Sequence, residues 1–299
     1  MTGTATPRFQ HKLAPFPLPG STSPVAQTEI LIDYLRQMER QGVTHIPLDE
    51  EARTVLRGFF KRSAAPQAQQ SVSAPVPAAA PAPVTTLSIP DGTRPEQLAA
   101  LREQAETWEP AKNLGTLREP MVFAVGNPEA QVVFVGEAPG YEEERRREPL
   151  VGKAGEKFNA ILTAMGLSRE EVYISNICKF RPSLKNQTTN NRKPSREEMR
   201  TCLPFLRAEL GIIKPKCIVA LGATAAEGLL DTIETVGRLR GSWREFEGIP
   251  LRVTYHPSYL LHTDAALPEK RKVWEDMLCV MEHLSLPISE KQRGFFLKR

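Results

Sequence analysis

From about residue 95 onward, short apolar runs alternate with longer stretches in which apolar residues recur every three or four positions. That rhythm predicts strands and helices in turn, and hence a parallel sheet covered on both faces. Val132–Val135 reads as a strand, and Ala154–Met165 as an amphipathic helix stopped by Gly166. Val172–Ile177 is the next strand. Ser195 followed three residues later by Glu198 has the form of a capping box and predicts a helix over Ser195–Leu210. Cys217–Leu221 is apolar throughout, as a central parallel strand should be, and Leu251–Tyr255 is a fourth strand, followed by a helix from about Pro268 to His283. The expected fold is α/β: a three-layer α/β/α sandwich with a central four-stranded, mostly parallel sheet, plus an N-terminal helical extension.

The first third of the chain has a different texture. Residues 1–23 are rich in Pro, Thr and Ser with no hydrophobic period, which predicts disorder. Over residues 24–62, Ile30, Leu31, Tyr34, Leu35 and Met38 and then Val55, Leu56 and Phe59 recur at helical spacing, which predicts a helical hairpin. Residues 63–93 are dominated by Ala, Pro, Ser, Val and Gln and read as a linker. The expected catalytic domain runs from 94 to 288, with a tail over 289–299.

Composition narrows the function classes only a little. The 299 residues are 40% hydrophobic and 25% charged, enough for one domain with a sizeable core. A formal net charge of +4 is compatible with a polyanionic partner without identifying one. Cys178, Cys202, Cys217 and Cys279 form neither a CxxC nor a Cys/His cluster, so composition suggests neither a disulfide scaffold nor a zinc ribbon, and no residue is assigned to a metal. The N-terminus has no apolar leader and no stretch is long enough to span a bilayer, so the reading expects a cytoplasmic protein with no membrane partner.

In open α/β sheets, ligands bind outside the carboxyl ends of the strands. The residues that fall there are Glu137 to Gly140, Asn176, Gly222 to Thr224 and His256. The first of these loops turns sharply at Gly136, Pro139 and Gly140 and offers backbone N–H groups to a ligand. An Asn carries a donor and an acceptor on one planar amide, matching the carbonyl and N–H edge of a nucleobase. A nearby His can donate to an oxygen that gains negative charge.

The ordered set of Gly136-Glu137-Ala138-Pro139-Gly140 with Glu143 and Glu144, Leu150 to Gly155, Val172 to Asn176, Lys179 with Arg181-Pro182, Asn191-Arg192, Lys214-Pro215-Lys216, Ala220-Leu221-Gly222, Arg240-Gly241 and Tyr255 to Leu261 resembles the family 4 uracil-DNA glycosylases. The resemblance covers roughly residues 97–284. It implies hydrolysis of the N-glycosidic bond of deoxyuridine, in single- or double-stranded DNA, after the nucleotide is flipped out. It further implies Glu137, Glu143 and His256 as catalytic residues, and Ala138, Gly140, Leu150, Asn176 and Asn191 as substrate-binding residues. The resemblance also implies Leu260 and Leu261 as a wedge in the base stack, while Lys153, Lys179, Arg181 and Arg192, which lie near the strand ends, are the candidate contacts to the DNA backbone. A monomer is expected, with a protein partner possible through the N-terminal extension. A glycosylase for hypoxanthine or xanthine and a non-cleaving DNA-binding module remain open as alternatives.

The chain departs from that family in three places. Family 4 enzymes bind a 4Fe–4S cluster through four cysteines, and at those positions this chain has Glu109, Lys112, Phe180 and Cys202, so that only Cys202 is a thiol, with Cys178 two residues early. The expectation is a protein without the cluster, its place filled by Phe180 and Trp108. Leu150 stands where the family has a phenylalanine that stacks on the base, which leaves Tyr141 as a possible substitute. Residues Ser183–Asn190 are an insertion, read equally as a DNA-contacting loop or a solvated bulge.

Overall fold

The computed structural model describes residues 87–262 and 267–297; the expected disordered lead-in, the helical hairpin and most of the linker lie outside these residues. The described part opens with helices α1 (Arg94–Glu106) and α2 (Glu109–Asn113) and strands β1 (Leu117–Met121), β2 (Val125–Gly126) and β3 (Val132–Gly136). Then come α3 (Tyr141–Arg146), α4 (Gly152–Met165), β4 (Tyr173–Asn176), β5 (Phe180–Pro182), α5 (Arg196–Ile213), β6 (Cys217–Leu221) and α6 (Ala223–Leu230). The chain continues through α7 (Val236–Leu239), β7 (Trp243–Phe246), β8 (Ile249–Thr254), α8 (Tyr259–His262), α9 (Leu267–His283) and α10 (Glu290–Arg293).

The four expected strands are β3, β4, β6 and β8, and they pair in parallel in the order β4-β3-β6-β8. Two antiparallel edge strands complete a six-stranded sheet, β2 beside β4 and β7 beside β8, and β1 pairs separately with β5. Neither edge announces itself in the sequence. β2 is two residues long, and the first three residues of β7 are exposed, so no apolar run marks either strand.

Alternation along the strands divides the core in two. Val133 and Val135 of β3 and Ile218 and Ala220 of β6 pack with Leu101, Phe205 and Ala225 from α1, α5 and α6. Val132 and Phe134, with Val219, turn to the opposite face and meet Phe158 and Leu162 of α4 and Trp274 and Met277 of α9. Helix α5 starts as its sequence requires: Glu198 N donates to Ser195 Oγ at 3.1 Å, and Ser195 N donates to Glu198 Oε2 at 2.7 Å. No helix among the described residues is long and apolar enough to cross a membrane.

From β3 the chain moves to β4 on one side and later returns to β6 on the other. Connections therefore diverge above the end of β3, which opens a crevice there.

Candidate active site

The crevice is a cleft of about 190 Å³ lined by Glu137, Ala138, Pro139, Gly140, Glu143, Leu150, Ala154, Asn176, Asn191, Arg192, His256 and Ser258. All eight residues expected to be catalytic or substrate-binding meet in it. A larger groove of about 320 Å³ runs along α5 and α6, where Arg196 pairs with Glu227 at 2.9 Å, but it contains no strand-end residue of the parallel sheet. Size alone does not identify the site.

Backbone register sets the first part of the cleft. Gly136 pairs with Asn176 across β3 and β4, and a β-carbon on Gly136 would lie 2.3 Å from Asn176 Oδ1. Only glycine lets the end of β3 pass the amide at this distance. Pairing runs on beyond the strands, with Ile177 N donating to Gly136 O and Cys178 N to Glu137 O, both at 3.0 Å, so the loop that follows β3 is held against β4. Asn176 is 5% exposed, and its side-chain amide has no hydrogen-bond partner among the described residues. A buried amide left open in a cleft is available to a ligand.

Glu143 and Glu137 differ in their surroundings. Glu143 Oε2 accepts from Gly140 N and Oε1 from Val151 N, each at 3.1 Å, so this carboxylate clips the β3 loop to the segment before α4. Its burial raises its pKa above the ordinary glutamate value, opposed in part by those backbone bonds. Glu137 has no such engagement among the described residues.

Leu150 is buried and sits at φ 52°, in the left-handed region that a γ-branched residue rarely adopts. Arg169 holds it there by donating to Leu150 O at 3.1 Å, Pro149 O at 2.8 Å and Glu148 Oε1 at 2.7 Å. Arg169 carried no signal in the sequence, because an arginine after a helix reads as surface. Tyr141, the suggested aromatic substitute, is outside the cleft, and its ring faces the Arg181 guanidinium at 5.6 Å.

His256 follows β8, with Gly222 at the end of β6 packed against it; a β-carbon there would lie 3.0 Å from His256 Cβ. Ser258 N donates to His256 Nδ1 at 3.2 Å, and Ser258 Oγ is 2.7 Å from the same nitrogen. Because a backbone N–H can only donate, Nδ1 is an acceptor, and the ring proton of the neutral imidazole is on Nε2. Desolvation lowers the His256 pKa, with the Glu137 charge acting in the opposite direction, so the neutral form is favoured. Ser258 escaped the sequence reading. Tyr255 and Tyr259 stack on each other at 4.6 Å across this turn, and Arg240 lies over the Tyr255 ring at 5.9 Å.

The expected DNA-contacting cations separate into two kinds. Lys153 is exposed in the first turn of α4, and Leu260 and Leu261 are half-exposed on α8. Lys179 and Arg181 need correcting. Lys179 is fully buried, paired with Glu209 at 2.7 Å and donating to Ser175 Oγ and to Asn176 O. Arg181 is 1% exposed and bonded to Glu144 at 3.0 Å. Neither reaches a phosphate, because residues 177–182 run through the interior rather than along the surface. Arg192 lines the cleft but is held in a two-point pair with Glu198 at 2.6 and 2.8 Å, so it too is structural.

Comparison with known proteins agrees with this geometry. The family model of the uracil DNA glycosylase superfamily matches residues 123–278. The chain is 42% identical over 149 residues to a type-4 uracil-DNA glycosylase of Thermotoga maritima, covering 48% of this chain and 73% of that protein. It is 39% identical over 162 residues to a type-4 uracil-DNA glycosylase of Archaeoglobus fulgidus, covering 52% of this chain and 76% of the relative.

These relatives correct the cofactor expectation. They are type-4 enzymes, the class to which the resemblance attaches a 4Fe–4S cluster, and that kinship overturns the expectation of a cluster-free protein drawn from four aligned positions. The thiols near those positions are Cys178 and Cys202, both buried in a core that also contains Phe180 and Trp108. Among the described residues, Glu109, Lys112 and Phe180 supply no thiolate, and no group of three or more His, Cys, Asp or Glu side chains forms a metal cage. This set does not fit a four-thiolate cluster, and no step below runs through one.

Proposed function

Since the chain belongs to the uracil DNA glycosylase superfamily, we propose that the cleft above β3, β4 and β8 is where it acts on DNA. The protein is a uracil-DNA glycosylase, a DNA repair hydrolase that cleaves the N-glycosidic bond of deoxyuridine, releasing uracil and leaving an abasic site. The observation that carries the site assignment is the buried amide of Asn176, without a side-chain hydrogen-bond partner among the described residues, in the same cleft as a histidine whose Nδ1 is held as an acceptor.

Uracil presents an N3–H donor beside carbonyl acceptors. Asn176 Oδ1 accepts from N3–H while Nδ2 donates to the neighbouring carbonyl; cytosine offers the opposite pattern at both atoms and leaves two buried polar groups unpaired. His256, neutral with its proton on Nε2, donates to the carbonyl oxygen that gains negative charge as the C–N bond lengthens. One such donor is worth roughly 3–4 kcal/mol of transition-state stabilisation. Of the two glutamates, Glu143 is engaged by two backbone N–H groups, and Glu137 is the carboxylate free to orient water or to face the developing sugar cation. The backbone at Ala138 and Gly140 closes on the base, and Leu150 gives it apolar contact. Leu260 and Leu261 enter the stack and Lys153 meets the phosphate backbone, offsetting an extrusion cost of a few kcal/mol. The same reading takes the enzyme to be a cytoplasmic monomer. The protein partner suggested for residues 24–62 concerns a part of the chain outside the described residues.

A gel assay on duplexes carrying a single uracil, hypoxanthine, xanthine or thymine tests this function. Alkali-labile cleavage is expected at uracil, and is expected to be lost in His256→Ala and Asn176→Ala. No cleavage of any substrate by the unmodified protein contradicts the proposal, and cleavage confined to hypoxanthine or xanthine transfers it to another base.

A further inference from the structure

The rim of the cleft contains a buried cation that the chemistry above does not use. Arg181 Nε donates to Asn191 Oδ1 at 2.9 Å, Nη1 to Glu144 Oε2 at 3.0 Å, and Nη2 to the carbonyls of Thr188 at 3.0 Å and Asn190 at 2.8 Å. A guanidinium has donors only, so the Asn191 amide is fixed with its oxygen toward Arg181 and its Nδ2 turned away. That nitrogen lies at the Gly140 turn, where a β-carbon would be 2.9 Å from it, and Asn191 lines the cleft. The carbonyls of Thr188 and Asn190 belong to the inserted segment Ser183–Asn190. This insert is closed on itself, with Gln187 Nε2 donating to Pro182 O at 3.0 Å and Thr188 N to Asn190 Oδ1 at 3.0 Å. Its backbone carbonyls at Thr188 and Asn190 hold the guanidinium, while Lys185, Asn186 and Thr188 to Asn190 face solvent.

We propose that Arg181 is a positioning residue for base recognition: it locks the Asn191 amide so that Nδ2 donates to a carbonyl oxygen of the flipped uracil, and the insert 183–190 holds the guanidinium in place. This rests on the cleft being the uracil pocket. Arg181 acts only through Asn191, so its loss and the loss of Asn191 should not compound.

The test is single-turnover uracil release by the full chain on a duplex with one uracil, with melting temperatures measured in parallel. Failure of the unmodified protein to release uracil would remove the underlying reading, whatever Arg181 does. With an active enzyme, Arg181→Lys keeps a cation for Glu144 but cannot also bridge Asn191 and two carbonyls, and release should slow by about 10-fold or more, as should that of Asn191→Ala. The double variant should be within about 2-fold of the slower single variant, because the two residues form one unit. Losses that multiply would overturn the proposal. Asn191→Asp keeps an acceptor for Arg181 but turns a second acceptor toward the base, so it should melt no lower than Asn191→Ala and yet be slower. That comparison decides the matter even if Arg181→Lys does not fold: Asn191→Asp as fast as Asn191→Ala or faster overturns the assignment.

Discussion

The backbone N–H of Ser258 donates to His256 Nδ1 at 3.2 Å, and this bond, two residues along the chain, sets which nitrogen of the histidine carries the proton. With desolvation lowering the ring's pKa against the opposing charge of Glu137, the histidine remains neutral to a lower pH than an ordinary histidine does. The rate of uracil release should therefore stay level down through the unperturbed histidine pKa of about 6.5 and fall only at more acid pH. A pH profile of the single-turnover rate checks this; an acid limb centred above about 6.5 would contradict it.

The same shift has a stability consequence. Below about 6.5 the unfolded histidine binds a proton that the folded one does not, so stability falls as pH drops through that window toward the lowered folded pKa. His256→Gln removes this contribution, and its melting temperature should be less sensitive to pH between neutrality and mild acid than that of the parent protein. Parallel melting curves across that range would contradict the neutral assignment.

Lys179 and Glu209 form a fully buried pair, and Glu209 Oε2 also accepts from Ser175 Oγ at 2.6 Å. Replacing one partner strands the other charge in the interior. Lys179→Met or Glu209→Leu should each cost about 3–5 kcal/mol in denaturant unfolding, with the double replacement recovering much of the loss. If Lys179 instead contacted DNA, Lys179→Met would leave stability unchanged and flatten the salt dependence of DNA binding.

Gly136→Ala would put a methyl 2.3 Å from Asn176 Oδ1. Either the amide or the β3 loop must give way, so uracil release should fall by about 10²-fold or more, as for loss of a preorganised polar contact. Activity at the parent level in Gly136→Ala would show that the register of β3 and β4 does not position the reader.

Leu260→Ala combined with Leu261→Ala removes the proposed wedge from α8 without touching the cleft. Excision from duplex should slow much more than excision from single strands, where little stacking has to be opened. An equal loss on both substrates would contradict the wedge.

Much of this was legible in the sequence. Apolar runs marked β3, β4, β6 and β8 because strands buried on both faces must be continuously apolar. Asn176 and His256 were legible from their place at strand ends. The positions of Lys179 and Arg181 misled, since a cation beside a strand end reads as solvent-facing until a partner such as Glu209 or Glu144, 30 and 37 residues away, folds against it. Ser258 and Arg169 were missed because their roles come from single hydrogen bonds to atoms of the site, which no periodicity records. Counting cysteines at four positions also reached further than it could: relatedness to type-4 enzymes corrected the cofactor expectation that the count suggested.

The account depends most directly on Asn176 as the reader of the base. Single-turnover release of free uracil from a duplex with one U·G pair, measured for the parent protein and for Asn176→Ala, puts that to the test. The parent should release uracil completely and leave cytosine and thymine intact, and Asn176→Ala should be slower by about 10²-fold or more while melting normally. Equal rates for the two proteins would contradict the account.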